Sequence, residues 1–273
     1  MLKALVMAFS FYTRLPMPYI KDPGKSGKYI LSFFPVTGVV LGALQVLTFT
    51  ALCRLSLPVF FTAVAATVIP LIYTGGIHID GFMDTTDALR SYKSKEEKIG
   101  IMDDPHSGAF SIIALVIYVL ISTALYHMIF SNITGEAAGS GAGVMIMLGL
   151  LFVMSRSLSS LTCYIFPKAK KSGMLYDITD GARANAAGHS GSLVLPLLLL
   201  LASAAVQVIC LPVAGLINIL FQVILLIYYR WMCMKQFGGV TGDTAGWYLC
   251  KSETAGLFSI VVYMALYYFL RHI

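Results

Sequence analysis

SLVLPLLLLLASAAVQVICLPVAGLINILFQVILLIYYR, Ser192 to Arg230, decides the fold, because its first 38 residues carry no charged side chain. The hydrocarbon core of a bilayer is about 30 Å thick and is crossed by roughly 20 apolar residues as helix. At about 1.5 Å per residue the whole stretch is nearly twice too long for one crossing. Pro212 has no N–H to give to a helix interior and supplies the break. The stretch therefore reads as two antiparallel spans, 192–210 and 213–230. Outward from it, comparable apolar windows recur at 30–52, 57–74, 109–130, 143–166 and, shorter, 255–270.

These windows predict an all-α integral membrane protein with about seven transmembrane helices. Composition agrees: 58% of the 273 residues are hydrophobic, 12% are charged, and mean hydropathy is +0.81, which excludes a soluble globular domain. Lys and Arg set the orientation. Segments 1–29, 75–108, 167–191 and 230–254 hold 5, 4, 4 and 3 of them, whereas the opposite side holds only Arg54 and Arg271. The N-terminus and all the polar loops are thus expected on the cytoplasmic side of an inner (cytoplasmic) membrane. The net charge of +6 is mostly this orienting set and calls for no nucleic-acid partner. Five cysteines without paired or metal-ligand spacing read as buried thiols in a reducing compartment. The opening MLKALVMAFSFYTRLPMP has a short apolar core cut by Arg14 and then Pro16 and Pro18, so it reads as a retained interfacial helix and not as a cleaved signal. No repeat or linker divides the chain. A single membrane domain, 1–273, is expected, with 1–29 an interfacial segment, 75–108 a cytoplasmic helical loop and 230–254 a cytoplasmic Gly-rich loop. Gly38 and Gly42, four apart in the first span, suit close helix packing.

The polar loops carry the chemistry. In GGIHIDGFMDTTDALR, Gly75 to Arg90, Asp80, Asp84 and Asp87 fall at i, i+4 and i+7 and line one helix face. Three acids on one face repel unless a cation sits between them, so the set points to a hard divalent ion and a phosphate. Phosphoryl transfer needs cations on the phosphates, a group to deprotonate the attacking hydroxyl, and donors for the leaving group. Gly75, Gly76 and Gly81 leave room for phosphate oxygens at the backbone. His78 is placed to orient a phosphate or to act as base, with a structural role the alternative. Asp103 and Asp104 form a further acidic pair before Pro105 and His106, while His127 and His272 fall at span ends.

FGGVTGDTAGWYLCKSE, Phe237 to Glu253, sets Gly238, Gly239, Gly242 and Gly246 around Asp243, with Thr241 and Thr244 adjacent. This fits phosphate or metal contact, which Lys251 and Glu253 could join, or else a plain interhelical loop. Arg156 stands inside the fourth span and needs an anion there. A substrate phosphate, an aspartate or a structural ion pair would each serve.

FYTRLPMP, FFPVTGVVLG, GGIHIDGFMDTTDA, GIMDDPHSGAF, VMSRSLSSL and GGVTGDTAG, in this order, resemble the cobalamin synthase (adenosylcobinamide-GDP ribazoletransferase) family over roughly Phe11 to Glu253. The resemblance implies an inner-membrane, magnesium-dependent enzyme of late cobalamin biosynthesis. Such an enzyme joins adenosylcobinamide-GDP to α-ribazole or its 5′-phosphate and releases GMP. Carried over by motif are His78, Asp80, Gly81, Asp84, Asp87, Asp104, Gly108, Arg156, Thr241, Gly242 and Asp243. On that reading Asp80, Asp84, Asp87 and Asp243 are the magnesium set, with Asp104 an optional further ligand. Asp87 or Asp104 is the base, His78 is catalytic, and Arg156, Gly81, Gly108, Thr241 and Gly242 bind substrate and phosphate. Many relatives have a basic residue in place of Asp103 and Ser-Arg in place of Pro105 and His106, so neither Asp103 nor His106 takes a fixed family role. Whether copies associate into a homo-oligomer is left open.

Two other classes compete. Membrane CDP-alcohol-type phosphotransferases of phospholipid synthesis also space aspartates on a helix, but their pattern continues with Ala-Arg where this chain has FMDTTD after Gly81. A cation-coupled transporter would suit intramembrane charge. The acids, however, gather at one membrane face and not at mid-bilayer.

Overall fold

The computed structural model describes residues 1–21, 24–134, 141–183 and 186–271, and its regular elements are helices. His272 lies outside the described residues. Helix α1 (Leu2–Tyr12) and a 3-10 turn (Gly24–Tyr29) precede α2 (Ile30–Arg54), α3 (Val59–Thr74), α4 (Ile77–Arg90), α5 (Lys95–Met102) and α6 (Ala109–Thr134). Then follow α7 (Gly141–Ile165), α8 (Met174–Arg183), α9 (Ala186–Cys210), α10 (Pro212–Gln236) and α11 (Gly242–Arg271).

Six helices, α2, α6, α7, α9, α10 and α11, are long and apolar enough to cross a membrane, and α3 with its bent continuation makes up to seven. Pro212 opens α10 at its first turn, where its missing N–H costs nothing. The break within Ser192 to Arg230 falls where the sequence places it. Between α3 and α4 the chain turns by 94° at Gly75 and Gly76, whose φ angles of +65° and +84° are strained for any other residue. Polar α4 therefore leaves the direction of α3.

At the centre of the bundle stands α7, buried over most of its length against α2, α9 and α11. The close packing expected at Gly38 and Gly42 is present. A Cβ would lie 2.4 Å from the Phe152 carbonyl oxygen at Gly38 and 2.3 Å from that of Gly149 at Gly42, so only glycine lets α2 touch the α7 backbone. Away from the apolar layers, Gln207, Asn218, Gln222 and Ser252 form a buried hydrogen-bonded chain joining α9, α10 and α11. Such polar glue replaces the hydrophobic driving force that lipid removes. All five cysteines are free.

One boundary differs substantially from expectation. The stretch 230–254 is not a Gly-rich loop: α10 runs to Gln236 and α11 starts at Gly242, leaving only 237–241 as connection. Its glycines weigh toward a loop in the sequence, but Gly246 is a helix position that brings α11 against α4, with a Cβ there 2.9 Å from the His78 carbonyl oxygen. The helix is started by Thr241 and Thr244, each hydroxyl accepting the other's backbone N–H at 3.1 and 2.9 Å. Lys251 and Glu253 consequently sit on a helix. Segment 75–108 is likewise two helices, the second opened by a capping box of Ser94 and Glu97.

The polar segments collect at one end of the bundle. Lys168 pairs with Val240 in an isolated bridge, Lys170 meets Asp103 at 2.6 Å, and α8 packs on the 3-10 turn. Loops that the charge pattern assigned to one side are thus in mutual contact.

Candidate active site

Two glycines create the site by letting α4 cross α11 backbone to backbone. A Cβ at Gly81 would come within 2.8 Å of the Asp243 Cα and carbonyl oxygen, and Gly246 meets His78 on the same crossing. Asp243, in the first turn of α11, is thereby brought beside the acidic face of α4. Half-buried Asp84 registers this company. Burial first, then the charges of Asp80, Asp243 and Asp87, push its carboxyl up to about 7.

The other sequence-nominated acids are placed differently. Asp87 has both oxygens engaged: Gly108 N–H donates to Oδ2 at 2.7 Å and Ser111 N–H to Oδ1 at 2.9 Å. It caps α6 from a neighbouring helix, where unpaired N–H groups and the helix dipole favour an anion. Gly108 is required for this, since a Cβ would lie 2.8 Å from the carboxylate. Asp104 is exposed, accepts the His106 N–H at 2.9 Å and faces its Nδ1 at 2.7 Å, which holds the carboxyl below its ordinary range. Asp103 pairs with Lys170.

Beside the α4–α11 crossing lies a cleft of about 210 Å³ lined by His78, Asp80, Gly242 and Asp243 and by apolar side chains of α1, α2, α7 and α8. Gly242 is open, with nothing within 4 Å of where a Cβ would stand. Thr241 caps α11 and its hydroxyl lies 3.5 Å from the Asp243 carboxylate. His78 is 8% exposed and its Nε2 has no hydrogen-bond partner. Burial and the nearby Arg156 charge lower its pKa to about 3, so it is neutral.

Arg156 lies deeper, 1% exposed, its guanidinium 2.5 Å from the Glu253 carboxylate and over the rings of Phe34 and Phe152. Of the three partners open to it from the sequence, the structure supplies the structural ion pair, with Glu253. Its Nε has no partner.

The site thus gathers His78, Asp80, Asp84, Gly242 and Asp243, while Asp87, Asp104 and Arg156 each have a separate partner. Sequence reasoning missed the aromatic lining, Phe11, Tyr12 and Phe34. Aromatics in apolar helices carry no mark that separates a cleft wall from core. The donor chemistry fits a hard divalent cation: carboxylates only, mutually repelling, one of them raised to about 7. Among the described residues, no three acid, histidine or cysteine side chains converge on one point, so an ion would have to draw the carboxylates together.

Fold and site together define a polytopic helical membrane protein with one acidic, cleft-bearing site at the polar end of its bundle. The chain belongs to the cobalamin-5-phosphate synthase family, whose model matches residues 4–261. It is similar to an adenosylcobinamide-GDP ribazoletransferase of Lachnoclostridium phytofermentans, 33% identical over 262 residues, covering 96% of this chain and 94% of that one. Proteins of the same description from Clostridium botulinum (28% identical; 96% and 98% covered) and Halalkalibacterium halodurans (26%; 90% of each) also match. No solved structure matches.

Proposed function

We propose that the protein joins adenosylcobinamide-GDP to α-ribazole or α-ribazole 5′-phosphate and releases GMP, at the cytoplasmic face of the inner membrane. A ribose hydroxyl attacks the phosphorus that bears the corrinoid side chain. The bond from that phosphorus to the bridging oxygen breaks, GMP leaves with the bridging oxygen, and the hydroxyl proton passes to a carboxylate. The observation that carries this reading is the α4–α11 crossing, which sets Asp243 among Asp80 and Asp84 beside a cleft.

Asp80, Asp84 and Asp243 are the residues that would hold magnesium. When bound, the ion would neutralise pyrophosphate charge and stabilise that developing on GMP. The hydroxyl proton passes to a carboxylate of this cluster that the ion leaves free. Gly242, open at the start of α11, offers backbone N–H and the positive end of a helix to phosphate oxygens. Thr241 shapes that start, and Gly81 and Gly108 act through packing. Asp87 fixes α6 against α4, and Arg156 with Glu253 braces the wall behind the cleft. His78 faces the acceptor.

The decisive test uses purified protein, magnesium, adenosylcobinamide-GDP and α-ribazole, followed for GMP and a cobalamin product. Both should form in detergent micelles without any ion gradient. Absence of both, where a control synthase works, would overturn the reading.

A further inference from the structure

We propose that a second pocket, the groove between α6 and α10 on the far side of α4 from the acidic site, binds an anionic phospholipid, with the phosphate on Lys251 and Arg90 and an acyl chain laid along α6. Such a lipid is no reactant of the transfer proposed above and would be held whether or not that reaction is correct.

Helical spacing gives α4 two faces. Asp80, Asp84 and Asp87 take one; Phe82 and Leu89 fall about half a turn away and line a groove of about 560 Å³, more than twice the volume of the acidic cleft. Helices α4 and α11 form the floor of the groove, and α6 and α10, which both pack on α11, form its walls. Its rim is apolar and open: Ile117 and Ile121 on α6 and Trp231 on α10 are exposed. Both helices are long and apolar enough to cross the membrane, so the groove opens sideways onto lipid. The chain has two tryptophans, Trp231 and Trp247, and both line this groove. Tryptophan is the side chain that settles at the depth of the headgroups.

Two cations line the groove without an anion. Among the described residues, the ion pairs are those of His106, Arg156 and Lys170, and neither Lys251 nor Arg90 takes part in one. Lys251 leans back towards the start of α11, its ammonium 5.8 Å from the Trp247 ring centre and 5.3 Å from that of Phe82. Ring faces attract a cation but do not neutralise it. Beside hydrocarbon an unneutralised charge is costly, and a phosphate arriving from the bilayer removes the cost. Arg90 ends α4 and shares its end of the groove with Tyr92 and Gln236, so the headgroup lies there and the chain follows Ile117 and Ile121. A soluble phosphate would meet the cations and leave the apolar rim bare. A zwitterionic lipid would bring its own cation beside Lys251 and Arg90, whereas a net negative headgroup matches both.

The tryptophans make the test direct. In a Trp231→Phe background, Trp247, 6% exposed at the groove floor, is the remaining indole. The full chain is reconstituted in vesicles of mixed phosphatidylglycerol and phosphatidylcholine, with bromine on the acyl chains of one lipid or the other. Brominated phosphatidylglycerol should quench Trp247 at a mole fraction about fivefold lower than brominated phosphatidylcholine, the preference expected from the attraction of a basic side chain for an anionic headgroup. Lys251→Gln should remove most of that preference. Lys235→Gln, a change on α10 outside the groove lining, should keep it. Inorganic phosphate at matched ionic strength should not relieve the quenching. Quenching equal for the two lipids or absent with both, equal effects of Lys251→Gln and Lys235→Gln, or relief by inorganic phosphate would each overturn the site. Relief by adenosylcobinamide-GDP would also overturn it and give the groove to a substrate. Should Lys251→Gln fail to fold, Arg90→Gln, a change to an exposed side chain, reads the same preference: a reduced preference upholds the site and an unchanged one overturns it.

Discussion

The protein keeps its charges on two different terms. In mid-bundle, Arg156 and Glu253 are paired, buried and surrounded by aromatic rings. At the polar end, Asp80, Asp84 and Asp243 share a field of like charge, relieved at Asp243 by Lys170. The first arrangement matches its two opposite charges from within the protein. The second is a cluster of mutually repelling carboxylates, and that repulsion marks the site more sharply than acidity alone. Asp87 falls between: it belongs to the acidic face by sequence, yet both its oxygens are taken by the N-terminus of α6.

The largest effects should come from opening the closed pair. Glu253→Leu leaves Arg156 buried without a counter-charge, which costs about 3–5 kcal/mol. Thermal unfolding in detergent should show a collapse of folded yield or Tm. The double variant Arg156→Leu/Glu253→Leu should regain much of the loss, because a well-packed apolar replacement is often neutral. If the double variant is no better than the single, the pair is not self-contained and the contrast between the two regions fails.

Acting on the open region should reverse the pattern. Asp243→Asn or Asp80→Asn removes repulsion and should leave Tm equal or slightly higher. GMP release should fall by about 10²–10³ at saturating magnesium, the scale expected when charge stabilisation of a transition state is removed. Near-normal turnover in both variants would show that these acids are a solvated face.

Much of this division can be read in the chain before folding, and some cannot. The six or seven apolar crossings, the break at Pro212 and the gathering of the polar loops follow from local apolar length and Lys/Arg placement, which depend on no tertiary contact. The glycines of 237–246 mislead because glycine permits both a loop and the closest helix crossing, and only the partner helix decides which. Asp87 is indistinguishable from Asp84 at helical spacing; what separates them is α6, about twenty residues on. His78 and the aromatic wall depend on α1, α2, α7 and α8 meeting, a juxtaposition of distant segments that no local pattern encodes.

Asp87→Asn tests the intermediate case. An amide still presents one acceptor to the α6 N-terminus but loses the charge, so about 0.5–2 kcal/mol of stability should go. Magnesium dependence of the remaining activity should be unchanged. A raised magnesium requirement would move Asp87 into the open region and make it a ligand.

The smallest effect is also the most specific to the open region, because it changes sign with what is bound. The Asp84 carboxyl is raised from 3.8 to about 7 in the folded protein, so the native state keeps a proton that the unfolded chain releases. Between about pH 4 and 7, rising pH therefore costs stability; the cost is absent below this window and complete above it. In metal-free protein, Asp84→Asn escapes it and should melt higher than wild type at pH 8, by roughly 2 °C given the group's partial exposure, with the difference vanishing near pH 4. Magnesium at pH 8 should stabilise wild type and erase or invert the gap, while at pH 4 it should do little. A gap that is the same at both pH values, or untouched by magnesium, would mean that the three acids do not share a charge problem, and the contrast with the closed Arg156–Glu253 pair would lose its basis.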